Sequence, residues 1–407
     1  MKKASPVPLC IRMANSILHK GAFAGENKCI IFHGFGAEND LGGEMMKPQI
    51  LAVNPGSSST KVAWFEGNEK IWQETVHHDP MEIAAFPRIY DQYEYRLATI
   101  KTCVADKSFS FDTLSAVVGR GGFLDPTPAG TYGVDDLLIE HLRRGVPWDH
   151  ASNLGGILAR AIAQPHDIPA FIVDPVTVDE LDDIARITGL PEFPKRSMAH
   201  TLNVKATVRR AAADLGKPWD ELDAVVAHLG SGITICAHCH GRMIDLNNAD
   251  DFGPFSPERA GGLPAGDLVR LCYSGKHTLK EIRKRLLKDG GLKAYLGVSD
   301  VREVNRRIQQ GDEMARKIHM AMAYQVAREI GACSTVFSGR VDVILITGGV
   351  AFDSTFVRLV QERVQWIAPV LVYPGEDEMQ ALAEGALRVV LGEEEAKRYG
   401  DYVREGV

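Results

Sequence analysis

Val53-Asn54-Pro55-Gly56-Ser57-Ser58-Ser59-Thr60-Lys61-Val62 and, further along the chain, Ala227-His228-Leu229-Gly230-Ser231-Gly232-Ile233-Thr234-Ile235 share one layout: a β-rich run, a tight turn of small residues, and a second β-rich run. The two turns are separated by about one domain length. Their recurrence predicts two similar lobes, each with its own turn. Strands are expected at Ile50–Asn54, Val62–Phe65, Ala116–Val118, Ala170–Val173, Ala224–Ala227, Ile233–Ala237 and Val343–Ile346. Helical patterns lie between them, which is the alternation of an α/β protein. Met314, Ile318, Met322, Val326 and Ile330 recur at i,i+4 spacing and mark the core stripe of one long helix.

Small residues let a backbone approach an anion closely, and successive N–H groups in such a turn form a concave donor surface for phosphate oxygens. Neither turn is a Walker loop or a G-x-G-x-x-G fingerprint. Each alone is more often a plain hairpin, but one per lobe points to a nucleotide clamp. A third pair, Gly348-Gly349, ends the strand Val343–Ile346 and precedes a helical pattern from Ser354 to Trp366. There a flat ligand such as adenosine can lie against the backbone at the carboxyl end of a strand.

The composition narrows the alternatives. The 407 residues carry 46 Lys and Arg against 53 Asp and Glu, a formal net charge of −7, and 45% are hydrophobic. That is a globular composition with no basic block for nucleic acid or an anionic membrane surface. No apolar run approaches the roughly 20 residues of a membrane helix, so a cytoplasmic protein is expected. Seven cysteines, an odd and scattered set, read as reduced thiols rather than a disulfide framework. Residues 1–48 lack sustained periodicity and include Leu41-Gly42-Gly43-Glu44-Met45-Met46. They are expected to be an extension, either a genuine flexible arm or translated leader ahead of a start at Met45 or Met46. Cys236-Ala237-His238-Cys239-His240 fits the C-x-x-C-H pattern of haem attachment and hints at zinc. It also continues a strand into Gly241-Arg242 with Met243–Leu246 returning, so a hairpin tip explains it and it is set aside.

Phosphoryl transfer needs cations around the migrating group and oxygen ligands for Mg²⁺. Candidates follow directly after strands or sit among glycines: Arg120 in Gly119-Arg120-Gly121-Gly122, Asp174 after Phe171-Ile172-Val173, His200 in Lys195-Arg196-Ser197-Met198-Ala199-His200, and Arg259 in the Gly253-to-Gly262 loop. Singly, such residues are more often structural or solvated. Their shared glycine-rich setting favours function.

These motifs, in one order with Pro128–Tyr132, His150–Gly155 and Tyr373-Pro374-Gly375-Glu376-Asp377-Glu378-Met379, resemble the butyrate kinases of the acetokinase family, within the actin/hexokinase/Hsp70 fold group. The resemblance runs from Gln49 to the end of the chain. It implies two duplicated actin-like, ribonuclease H-like lobes around an ATP cleft. Residues 49–177 with 378–407 would form the N-terminal lobe and 178–377 the C-terminal, nucleotide-binding lobe. The implied reaction is reversible transfer of the ATP γ-phosphoryl group to butyrate, giving butyryl phosphate and ADP. A branched-chain or other short-chain fatty-acid kinase is the alternative, and a non-catalytic actin/Hsp70-type switch a second. By resemblance, Arg120, Asp174, His200 and Arg259 are catalytic. Asn54, Gly56, Ser57, Ser58, Ser59 and Lys61, with His228, Gly230, Ser231 and Gly232, would hold the ATP phosphates, and Gly348 and Gly349 the adenosine. Asn54, Asp174 and one or more of Glu376, Asp377 and Glu378 would serve Mg²⁺. The family also implies a homo-oligomer. Two departures stand out: Ser231 where relatives have glycine, and Ala199 where they have phenylalanine, the latter able to reshape an acyl pocket.

Overall fold

The computed structural model describes residues 47–146 and 148–403. The extension expected at 1–48 lies almost wholly outside them. Strands β1 (Gln49–Pro55), β2 (Ser59–Glu66), β3 (Glu69–His77), β4 (Ala116–Arg120), β5 (Thr131–Gly133) and β6 (Ala170–Val173) form a first sheet in the order β3-β2-β1-β4-β6-β5. Strands β7 (Ala224–Leu229), β8 (Ile233–Cys239), β9 (Arg242–Leu246), β10 (Val343–Gly348) and β11 (Val370–Pro374) form a second, ordered β11-β10-β7-β8-β9.

The two sheets repeat one plan. In each, three strands run as an antiparallel meander and two more join the first strand in parallel: β1 pairs with β4 and β4 with β6, as β7 pairs with β10 and β10 with β11. The short β5 is an addition at the edge of the first sheet. The glycine–serine turns quoted above are the β1–β2 and β7–β8 turns. The duplication read from the sequence is therefore the duplication of the actin-like ATPase fold.

Both central strands are buried on both faces, as parallel pairing under helices requires. In β1, Leu51 and Val53 enter one apolar cluster while Ile50 and Ala52 enter another. Helix α1 (Leu154–Ala163) covers the first of these faces. Between the sheets lie α2 (Thr201–Leu215) and α4 (Glu378–Val390). Met379, Leu382 and Ala386 of α4 pack on β1, β4 and β6 together with Leu202 of α2. The long helix α3 (Glu313–Ser334) covers the second sheet with Ile318, Met322, Val326 and Ile330. The expected stripe holds except at its start, because Met314 lies in the first turn and is 54% exposed. No helix among the described residues is long and apolar enough to cross a membrane.

Candidate active site

The carboxyl ends of two strands of the first sheet and the N-termini of two helices deliver the polar side chains. Asn54 is the penultimate residue of β1, Arg120 closes β4, His200 is the N-cap of α2, and Glu378 is the first residue of α4. These four, with Arg259, the Gly56–Ser59 turn and Lys61, line one cavity of about 420 Å³. Phe123, Val176, Met198 and Ala199 add an apolar wall to the same cavity.

Two carboxylates hold the two arginines. Glu378 forms an ion pair with Arg120 and accepts a 2.6 Å hydrogen bond from Asn54 Nδ2. Arg259 Nη1 meets Asp250 Oδ1 at 2.6 Å. The Arg259 guanidinium lies against the second turn so closely that a Cβ on Gly232 would stand 2.7 Å from its Cζ. Any side chain at that position would displace the cation. Ser256 fastens the same turn by donating to Ser231 O while accepting from Arg259 N.

His200 stacks on His228 with ring centroids 4.0 Å apart, and its Nδ1 lies 2.9 Å from Thr234 Oγ1. Burial, then His228, Arg259 and Arg120, hold its pKa well below the ordinary imidazole value. The ring is therefore neutral at physiological pH and acts as a hydrogen-bonding group. His228 Nδ1 lies 2.7 Å from Asn203 Oδ1.

The three acidic candidates at 376–378 separate cleanly. Glu378 faces the cavity. Glu376 Oε1 stands 3.1 Å from His228 Nε2, and that contact, ahead of the more distant Arg120 and Lys61, lowers its pKa. Asp377 turns away: it lies 3.5 Å from Lys70 Nζ and lines a different groove. Asp174 is likewise absent from the cavity lining. Its backbone is left-handed (φ +41°), its Oδ1 accepts the Gly130 N–H at 2.7 Å, and burial raises its pKa. In this structure it fastens the Pro128–Tyr132 segment to the end of β6.

A second cavity of about 530 Å³ lies beyond the β7–β8 turn, lined by Gly230, Ser231, Glu376, Asn305, Gly349, Val350 and Phe352. Gly348 supports it from behind. Its φ is +91°, and a Cβ there would fall 2.4 Å from Leu229 O. The β7–β8 turn thus stands between the cavity that holds both arginines and a second cavity at the end of β10.

Residues beyond the sequence expectations complete the site. Asp250 is one. Arg96 is another: fully buried, it donates to Ser57 O, Ser59 O and Thr60 Oγ1, so a guanidinium braces the first turn from beneath. It also pairs with Gln92, four residues earlier and the N-cap of its helix. That i,i+4 pair is the one signal the sequence offered.

A family model described as the acetokinase family matches residues 195–373. A probable butyrate kinase of Clostridium botulinum is 47% identical over 355 residues, which is 87% of this chain and 100% of the relative. Butyrate kinase 2 of Clostridium acetobutylicum is 48% identical over the same shares. Among solved structures, acetate kinase of Porphyromonas gingivalis superposes with a TM-score of 0.72 at 19% identity, covering 84% of this chain and 100% of that one. At that identity the superposition speaks for the fold.

Proposed function

The chain belongs to the acetokinase family, and from that premise we propose that it transfers the γ-phosphoryl group of ATP reversibly to the carboxylate of butyrate, giving butyryl phosphate and ADP. One observation carries the choice of acceptor. The carboxylates lining the catalytic cavity, Glu378 and Asp250, are each held by an arginine. Neither is placed to take a proton from a hydroxyl. A short-chain acid resembles a Glu side chain, with a pKa of about 4.3, so it arrives ionised and needs no general base.

The difficulty is to bring an anion up to a polyanion. Two unit charges about 4 Å apart repel by about 4 kcal/mol at an effective dielectric near 20. Arg120 and Arg259 offset that repulsion. They do so most strongly when charge spreads over the transferring phosphoryl oxygens, toward which neutral His200 offers a hydrogen bond. The β1–β2 turn and Lys61 bind the phosphates, and the cavity at Gly349 takes the nucleoside.

Magnesium fits the donors present. Asn54 and Glu378 both line the cavity, and an amide oxygen and a carboxylate are the hard ligands that the ion prefers. Bound there, the ion would neutralise phosphate charge. Asp174, turned toward Gly130, contributes to that reading only through the orientation of its strand. The partition into lobes 49–177 with 378–407 and 178–377, a cytoplasmic location and a homo-oligomeric state belong to the same proposal.

The apolar wall supports a second reading of the substrate. Ala199 is 6% exposed and lines the cavity, leaving room for branched or longer acids. ATP-dependent hydroxamate formation with two- to six-carbon acids tests both readings. Highest kcat/KM with butyrate supports the first, and with isobutyrate or isovalerate the second. Failure with every acid while ATP still binds would leave a nucleotide switch.

A further inference from the structure

The β8–β9 hairpin carries a group that phosphotransfer does not use. Antiparallel pairing sets Ala224 opposite His238, so the next residues outward, Asp223 and Cys239, face each other at the end of the ladder. Directly opposed residues on such a pair share a face, with Cβ atoms about 5 Å apart. His240 follows as the first residue of a two-residue turn with Gly241, and both have positive φ, +46° and +75°. Such a turn favours Asn, Asp or Gly at its first position. A histidine held there brings its ring back toward the strand pair. One ligand atom from each of Asp223, Cys239 and His240 lies within 4.8 Å of the others.

The set is short of positive charge. Asp223 Oδ1 is buried with no hydrogen-bond partner. Cys236, the other half of the C-x-x-C pattern, enters the apolar cluster on the opposite face of the sheet from Cys239. The haem-attachment reading therefore fails on geometry. The cysteine that remains is partnered instead by a residue distant in sequence.

We propose that Asp223, Cys239 and His240 form a zinc-class divalent metal site that clips the start of β7 to the β8–β9 hairpin tip. One thiolate, one imidazole and one carboxylate are a borderline-soft donor set suited to tetrahedral zinc, with solvent at the fourth position beside exposed His240. Binding requires the thiolate, so uptake of the ion releases a proton from Cys239. The ligands are distinct from the residues lining the catalytic cavity.

Chelator-treated full-length protein titrated with Co²⁺ tests the assignment. The expected result is one equivalent bound with a sulfur-to-cobalt charge-transfer band, displaced by Zn²⁺ and accompanied by proton release. Cys239→Ser should abolish the band, and His240→Ala, a surface change, should weaken binding by about tenfold or more. Phosphotransfer by either folded variant should match wild type. Absence of saturable binding, or a charge-transfer band that survives in Cys239→Ser, would overturn the proposal, since the ion would then be adventitious or held by another thiol.

Discussion

Replacing Ala199 by leucine should move acid selectivity in a calculable way. Ala199 stands immediately before the α2 N-cap and forms the cavity's apolar wall with Phe123, Val176 and Met198. Butyrate carries two more methylenes than acetate. At about 0.8 kcal/mol for each buried CH₂, the wild-type wall is worth about 1.6 kcal/mol to butyrate, or about fifteenfold in kcat/KM. Leucine adds three carbons to the wall and takes the space those methylenes would occupy. The butyrate-to-acetate ratio should therefore collapse by about the same factor, isovalerate and valerate should lose most, and acetate should change by less than about threefold. The assay is hydroxamate formation across the acid series, with the thermal midpoint as a check on folding. A folded leucine variant that keeps the wild-type ratio would refute the argument that the acyl chain lies along this wall.

Arg120→Ala and Arg259→Ala should each lower kcat by about 10²- to 10³-fold in folded protein, the scale of losing one preorganised donor to a developing charge. His200→Ala should cost about tenfold. Near-normal turnover in either arginine variant would remove that residue from the reaction. Stability should fall steeply on mild acidification. Buried His78 and His238 have pKa values lowered to about 4 and about 3, and His200 is also lowered, in each case first by burial. The unfolded chain protonates these rings below about pH 6.5 while the folded chain does not, so stability rises with pH across that interval. His78 and His238 alone give a slope of about 2 to 3 kcal/mol per pH unit near pH 5, and His200 adds in the same direction. Denaturant midpoints at pH 7.5, 6.5 and 5.5 measure it, and His238→Phe should flatten it by about 1 kcal/mol per pH unit. Midpoints independent of pH would show that the rings titrate normally.

How much of this was legible beforehand depended on where each signal is written. β6 was read to the residue, and the central strands to within a few, because Ile50–Val53 or Val343–Ile346 is a continuous apolar run that only a doubly covered strand can carry. β3 was missed because it is a polar edge strand whose burial pattern is mostly exposed or intermediate. β5 has three residues, and β11 is only half-buried. The glycine–serine turns were legible because turn chemistry is local. Asp250 was not, since its value comes from Arg259, nine residues on and across a loop. Asp377 and Glu378 could not be told apart by type. Asp377 is the non-helical N-cap of α4 and Glu378 its first helical residue, and that single step along the backbone separates a residue facing Lys70 from one facing Arg120.

Each sheet brings one arginine–carboxylate pair to the cavity, and the pairing has a kinetic consequence. Glu378 belongs to α4, packed on the first sheet, while Asp250 and Arg259 belong to the loops after β9. Both guanidiniums are thus matched by carboxylates of this chain, and an incoming anion must displace a carboxylate rather than meet a bare cation. Ground-state binding is weakened by that exchange, whereas a transition state with charge on three equatorial oxygens recruits both arginines at once. Asp250→Asn removes the competitor but also the contact that holds Arg259 against Gly232. Its KM for both anionic substrates should fall, and its kcat should fall with it, because the guanidinium is no longer fixed where charge develops. A variant with raised KM and unchanged kcat would show instead that Asp250 serves substrate binding alone.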